Sequence, residues 1–237
     1  MNLNQTESPL NETLVPRWKR VLDITILLLA SPVLLLVGGA VALVVLSVSR
    51  GPLFYRQQRM GLMGKPFTIF KFRTMRVNAD TSAFQKYLTE RMNNNTSMLK
   101  MDGQGDARII PLGRWIRALG LDELPQVINV LIGNMTLVGP RPSQAFECAN
   151  YTEWHKQRFN TLPGVTGLWQ VSGKNNTTFQ KMVELDIEYS RTKSVALDLS
   201  IIIRTIPAII TQTLEMRRTR QQAAAQTVQI PSLSKVA

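Results

Sequence analysis

Two adjacent carboxylates, Asp122 and Glu123, stand in the run Gly120-Leu121-Asp122-Glu123-Leu124-Pro125-Gln126, just before the apolar stretch Val127 to Ile132. Gly120 reads as the end of one helix and Asp122 as the N-cap of the next, with Pro125 accommodated in its first turn. A helix N-terminus favours negative charge and phosphate. Paired carboxylates also make a hard oxygen site suited to Mg²⁺, which takes one or two carboxylates together with substrate phosphate. A carboxylate can itself attack phosphorus to form an acyl phosphate. On the dipeptide alone, the plainer reading of a cap beside a solvated first-turn acid stays open.

The surrounding bases favour phosphate chemistry. Arg117 lies about one and a half helical turns before the acids, and Gly139-Pro140-Arg141-Pro142 follows the same helix. Two prolines fix Arg141 in a turn, which suits bidentate recognition of phosphate. Upstream, Gly51 to Arg76 carries six bases and no acid. Arg59, Lys71 and Arg73, interleaved with aromatics, are the candidates for gripping phosphates; contact with anionic lipid headgroups would account for about half of the six. The whole chain has 237 residues and a formal charge of +12, from 28 Lys plus Arg against 16 Asp plus Glu, so half of the excess falls in this one segment. Its partners are therefore anionic.

Composition narrows the class further. With 44% hydrophobic and 19% charged residues, wholesale disorder is excluded. The single Cys148 excludes a disulfide framework or multi-cysteine metal site, and the lone His155 excludes a histidine-rich centre; both read as structural or solvated residues. No helix-turn-helix or zinc-finger spacing occurs, and a single-strand binder would not need paired acids, so nucleic acid is not expected as a partner.

The elements that must position these residues begin with a loose polar tail, residues 1–16, and a membrane segment, residues 17–49. After Arg17, Lys19 and Arg20, the run Val21 to Val48 has Asp23 as its only charge. Some 28 residues would make a helix of roughly 42 Å, longer than the ~30 Å hydrocarbon core. Ser31-Pro32 interrupts the run near its middle, and basic residues flank both ends, including Arg50, Arg56 and Arg59. The positive-inside rule cannot orient such a helix across a bilayer. A helix broken at Ser31 and Pro32 that returns to the same face satisfies both flanks; a kinked spanning helix is the alternative. A catalytic body at residues 50–214 follows. In it Pro66–Phe72 alternates as a strand after turns at Gly61 and Gly64, and helices are expected near Thr81–Met92, Ser143–Asn160 and Thr178–Thr192. Leu162-Pro163-Gly164 is a turn, and Trp169 reads as packing, with stacking on a sugar or base as the alternative. Asp198 to Leu214 is apolar but short for spanning, which suits an interfacial or buried helix. Residues 215–237 read as a flexible tail.

Together these segments resemble the bacterial sugar transferase family, the small monotopic polyprenyl-phosphate sugar-1-phosphate transferases. The matching motifs are Lys19-Arg20 with Asp23, Ser31-Pro32, Gly51-Pro52-Leu53-Phe54, Gln58-Arg59-Met60-Gly61 and Lys71-Phe72-Arg73-Thr74-Met75. Asp106-Ala107-Arg108, Leu121 to Gln126, Asn129-Val130-Leu131, Gly139-Pro140-Arg141-Pro142 and Pro163-Gly164-Val165-Thr166-Gly167 follow in family order. The resemblance implies a mostly helical α+β fold: a re-entrant N-terminal helix on a small irregular α/β cytoplasmic domain with interfacial amphipathic helices. It implies transfer of a sugar-1-phosphate from a UDP-sugar to undecaprenyl phosphate, with release of UMP and a requirement for Mg²⁺. Asp122 would be the nucleophile and Glu123 would help bind Mg²⁺ or activate the lipid phosphate. Lys71, Arg117 and Arg141 match positions that support the carboxylates and phosphates.

The location implied is the bacterial inner membrane, facing the cytoplasm, at the initiating step of exopolysaccharide, capsule or O-antigen synthesis. The segment Gly167 to Asn175 and the long 78–105 insertion are similar to the exopolysaccharide branch that transfers galactose- or glucose-1-phosphate. Downstream glycosyltransferases and a second copy of the chain remain open as partners. Two positions depart from the family pattern: Gly120 stands where many members have Ser or Thr, and Asn134 where Asp is usual. Neither replaces the acid pair. A non-catalytic scaffold that binds anionic lipid is the competing class.

Overall fold

The structure is a computed structural model that describes residues 15–77, 79–80, 82–97, 106, 108–173 and 177–228. The expected N-terminal tail up to position 14, Asn78, Ala107, Lys174-Asn175 and the last nine positions lie outside the described residues.

Helix α1, Arg17–Val48, runs unbroken through the expected interruption, with Pro32 inside it. Proline has no N–H to give the carbonyl of Leu28, four residues earlier. The Ser31 hydroxyl donates to that carbonyl instead, at 2.8 Å. The Ser-Pro pair therefore replaces the lost bond locally, a pattern that bends helices without ending them. Burial along α1 is confined to its two ends: Lys19, Asp23 and Leu27 at one, Val41 and Val45 at the other. Leu27 packs with Ile69, Val130 and Met135, and Val41 and Val45 pack with Phe72, Ile110 and Ile116. Between them Leu28, Leu29, Val33, Leu35 and Leu36 are exposed. Both ends of one long apolar helix thus sit on the same body.

Polar contacts lock the first end. Lys19 Nζ donates to Asp198 Oδ2 at 2.6 Å and to the Tyr189 hydroxyl at 2.7 Å. Asp23 accepts from Thr136 Oγ1 at 2.6 Å and from the backbone N–H of Leu137 at 3.1 Å. Arg20 donates to the carbonyls of Val130 and Leu131. Much of the basic cluster before the apolar run therefore faces the protein, with Lys19 only 1% exposed. Removing one partner of a buried pair strands the other charge, at about 3–5 kcal/mol. Lys19→Met is expected to lower stability by that amount in detergent-solubilised protein, read from the thermal unfolding midpoint, whereas Lys156→Met at an exposed pair on the surface leaves the midpoint unchanged.

Strands β1, Phe54–Met60, and β2, Pro66–Phe72, form an antiparallel hairpin in the register Phe54↔Phe72 to Met60↔Pro66. The expected strand is β2; its partner alternates less clearly because Arg56, Gln57, Gln58 and Arg59 interrupt the apolar pattern. After α2, Ser82–Asn93, come the short helices α3, Gly113–Ala118, and α4, Gln126–Leu131. Strand β3, Thr136–Val138, pairs in parallel with β4, Gly164–Thr166.

The stretch expected as one helix between them is two, α5, Ala145–Cys148, and α6, Glu153–Lys156. Thr152 restarts the chain with a capping box on His155. Helix α7, Leu168–Val171, precedes the amphipathic α8, Phe179–Thr192, whose first turn is capped by Thr178. The last helix, α9, Val195–Val228, continues through positions 215–228, which composition alone assigns to a tail. Ala and Gln there are good helix formers. The main core joins Tyr151, Trp169, Phe179, Met182, Val183 and Ile201.

Candidate active site

Asp122 and Glu123 lie in a 3₁₀ turn, Leu121–Glu123, that follows a left-handed Gly120. This corrects the expected N-cap. Regular helix starts only after Pro125, because proline cannot donate a bond back and fits only ahead of the first hydrogen-bonded turn. Helix α4 is then clamped to the hairpin by one buried side chain: Asn129 Nδ2 donates to the Thr68 carbonyl at 2.7 Å, and its Oδ1 accepts from Phe70 N–H at 3.0 Å. That clamp fixes the acid pair against β2.

The two carboxylates and the five bases singled out by sequence, Arg59, Lys71, Arg73, Arg117 and Arg141, all line one cavity of about 940 Å³. Asp122 is buried, at 8% exposure. Glu123 is more open and receives a bond from Lys71 Nζ at 2.8 Å. Arg117 Nη1 reaches Thr74 Oγ1 at 3.4 Å. Arg73 Nη2 donates to the Ser49 carbonyl at 2.6 Å, just past the end of α1. Arg59 binds Gln57 Oε1 through Nε and Nη2 at 3.1 and 2.7 Å and the Pro142 carbonyl through Nη1 at 3.2 Å. Its burial, with the nearby Arg141 charge, pushes the guanidinium down to about 10.

Sequence reasoning missed what holds Arg141. Its Nη1 donates to both oxygens of Glu147 at 3.3 Å, and its backbone carbonyl accepts from Arg158 Nη2 at 3.1 Å. Arg158 is itself buried against Asp186 and the Tyr151 hydroxyl. Burial alone would raise the Glu147 carboxyl, but Arg141, Arg59 and Arg158 together hold it below its ordinary range. Single charges on short helical pieces give no periodic signal, and only the fold brings them together. Trp169 is buried and donates Nε1–H to Thr177 Oγ1 at 2.6 Å, in keeping with packing. Cys148 is half-buried, and burial with the Glu147 charge pushes its thiol up to about 11, so it carries little thiolate.

Among the described residues no group of three or more Asp, Glu, His or Cys side chains could hold a metal by itself. The donor set fits Mg²⁺ in its other common mode, in which Asp122 and Glu123 would supply one or two carboxylates and substrate phosphate completes the shell.

The family model for bacterial sugar transferases matches residues 14–212. Galactosyl transferase CpsE of Streptococcus agalactiae is 39% identical over 196 residues, covering 81% of this chain and 42% of that protein. The exopolysaccharide production protein ExoY of Sinorhizobium fredii is 36% identical over 205 residues, covering 81% and 84%. A UDP-glucose:undecaprenyl-phosphate glucose-1-phosphate transferase of Caulobacter vibrioides is 36% identical over 215 residues, covering 86% and 73%. The chain thus spans less than half the length of the CpsE relative.

Proposed function

The chain belongs to the bacterial sugar transferase family, and we propose that it transfers glucose- or galactose-1-phosphate from a UDP-sugar to undecaprenyl phosphate, releasing UMP. The observation that carries this reading is the convergence of Asp122, Glu123 and five bases on one cavity beside an apolar helix. Named relatives act on UDP-glucose and undecaprenyl phosphate or are galactosyl transferases, which supports the choice of substrates.

In the proposed reaction, an oxygen of Asp122 attacks the sugar-bearing phosphorus of the UDP-sugar. The bond from that phosphorus to the bridging oxygen breaks, and UMP leaves with the electron pair. The phosphosugar is then held on Asp122 as an acyl phosphate, and burial of this carboxylate keeps water from it. An oxygen of the lipid phosphate next attacks the same phosphorus, the acyl-phosphate bond breaks, and the carboxylate is regenerated. Lys71 holds Glu123 in place, while Arg117 and Arg141 neutralise charge on the phosphates. Mg²⁺ bound at the acid pair would add positive charge where the leaving phosphate gains negative charge. Membranes carrying the chain are tested with a panel of UDP-sugars for UMP release. UDP-glucose or UDP-galactose is the expected substrate, and no release with any of them would refute the reading.

We further propose that α1 bends at Ser31-Pro32 without ending and so re-enters, leaving both ends and the catalytic body at the cytoplasmic face of the inner membrane. Packing of Leu27 and of Val41 with Val45 on the same body supports this. Single cysteines introduced near Asn11 and Arg50, in a chain lacking Cys148, are expected to resist a membrane-impermeant thiol reagent in spheroplasts and react after lysis. Labelling of the two positions from opposite faces would favour a spanning helix.

A further inference from the structure

We infer that Arg73 is the residue that takes the phosphate of the lipid acceptor, at the end of the cavity where the membrane helix meets it; this rests on the reaction proposed above. Arg73 is 4% exposed and lines the cavity. Its Nη2 is satisfied by the Ser49 carbonyl, but its buried Nε and Nη1 have no acceptor. A buried guanidinium with unmatched donors is unfavourable unless an anion completes it. The chain has made room for the guanidinium itself. Gly51 has φ of +120°, and a Cβ there would lie 2.3 Å from Arg73 Nη1. The Gly-Pro motif after the apolar run is thus explained by the arginine that occupies the place of a side chain.

Position along the hairpin separates Arg73 from the other phosphate-gripping bases. Arg73 N–H extends the ladder by donating to the Leu53 carbonyl at 3.0 Å, whereas Arg59 stands opposite Phe67. Position 73 lies one residue past β2 and six residues from position 67, about 20 Å at ~3.3 Å per residue of extended chain. Lys71, bonded to Glu123, lies between them. The Arg59 end is built from the Gly139–Pro142 loop, through the Pro142 carbonyl. The Arg73 end is bounded by Ser49 at the end of α1 and by Pro52, Leu53 and Phe54, which line the cavity with apolar surface. A phosphate carried on a long isoprenoid is confined to the bilayer edge, and this is the end that offers both an apolar approach and an unsatisfied cation. A water-soluble UDP-sugar has no such constraint and is left the Arg59 and Arg141 end.

Two half-reactions separate the assignments. Exchange of labelled UMP into UDP-sugar without acceptor reports the donor half; complete transfer to undecaprenyl phosphate in detergent micelles reports both. Arg73→Lys retains the charge but loses the guanidinium donors, and Gly51→Ala leaves Arg73 chemically unchanged but displaces it, at the cost of local backbone strain at φ +120°. Both variants are expected to raise KM for undecaprenyl phosphate at least tenfold while UMP exchange stays within twofold of wild type. A parallel fall in exchange and transfer, or an unchanged KM for the lipid, would overturn the assignment. Absence of exchange in the wild-type protein would overturn the proposed two-step reaction, and the assignment with it.

Discussion

Asp122→Asn is expected to reduce UMP release by at least about a thousandfold while leaving the fold intact, a loss typical of removing a nucleophile. The substitution keeps size and shape and deletes the attacking oxygen's charge. Asp122 is buried in the 3₁₀ turn between α3 and α4, and the clamp that positions this turn runs through Asn129, so the backbone has no reason to move. Glu123→Gln is expected to fall less, by about a hundredfold, as befits a group that assists proton or metal chemistry without forming the covalent bond. A scaffold that binds anionic lipid predicts the opposite: the asparagine variant removes a negative charge and would function at least as well. The comparison is made on purified protein with matched circular dichroism spectra.

The largest structural effect is expected at Gly164. A Cβ there would lie 2.1 Å from Gly139 N and 2.7 Å from Gly139 Cα, and 2.3 Å from the Thr166 carbonyl. All of these are backbone atoms, so no side-chain rotation relieves the clash. Strands β3 and β4, with Gly139-Pro140 just beyond β3, are held at this approach by three bonds: Gly164 N–H to the Pro140 carbonyl at 2.8 Å, Gly139 N–H to the Thr166 carbonyl at 2.9 Å, and Thr136 N–H to the Pro163 carbonyl at 2.9 Å. Gly164→Ala must separate them and is expected to cost about 4–5 kcal/mol, a large share of a domain's stability. Because Arg141 follows Gly139-Pro140, whatever protein survives should also have lost substrate affinity. Gly38→Ala is the control, since nothing lies within 4 Å of a Cβ there. A Gly164→Ala protein with a wild-type unfolding midpoint would show that β3 and β4 are not held this closely here.

The parts of the molecule legible from sequence are those whose signal is local. Alternation marks β2, amphipathic spacing marks α8, and residue type alone groups the acids with their five bases; the structure brings them to one cavity. What escaped depends on distant pairing. Lys19 reads as part of a basic membrane flank, yet its partner Asp198 is 179 residues away. Glu147 and Arg158 lie on short helical pieces whose inward turn only the fold imposes. At Asp122 the conflict is local: Asp favours an N-cap, but regular helix begins only after Pro125, so the acid pair sits in the 3₁₀ turn before it. Likewise Ser31-Pro32 signals a break only if the carbonyl freed by proline stays unpaired, and the Ser31 hydroxyl pairs it.

The central claim is that Asp122 carries the phosphosugar between donor and acceptor, and it is tested most directly by trapping. Protein is mixed with a UDP-sugar labelled in the sugar, without lipid acceptor, quenched in acid and digested for mass spectrometry. The account predicts label on the peptide containing Asp122, near one equivalent per chain or an exchange-limited fraction of it, chased off by undecaprenyl phosphate and absent from Asp122→Asn. UMP release that occurs only when lipid is present, with no label on the protein, would contradict it in favour of direct transfer between the two substrates.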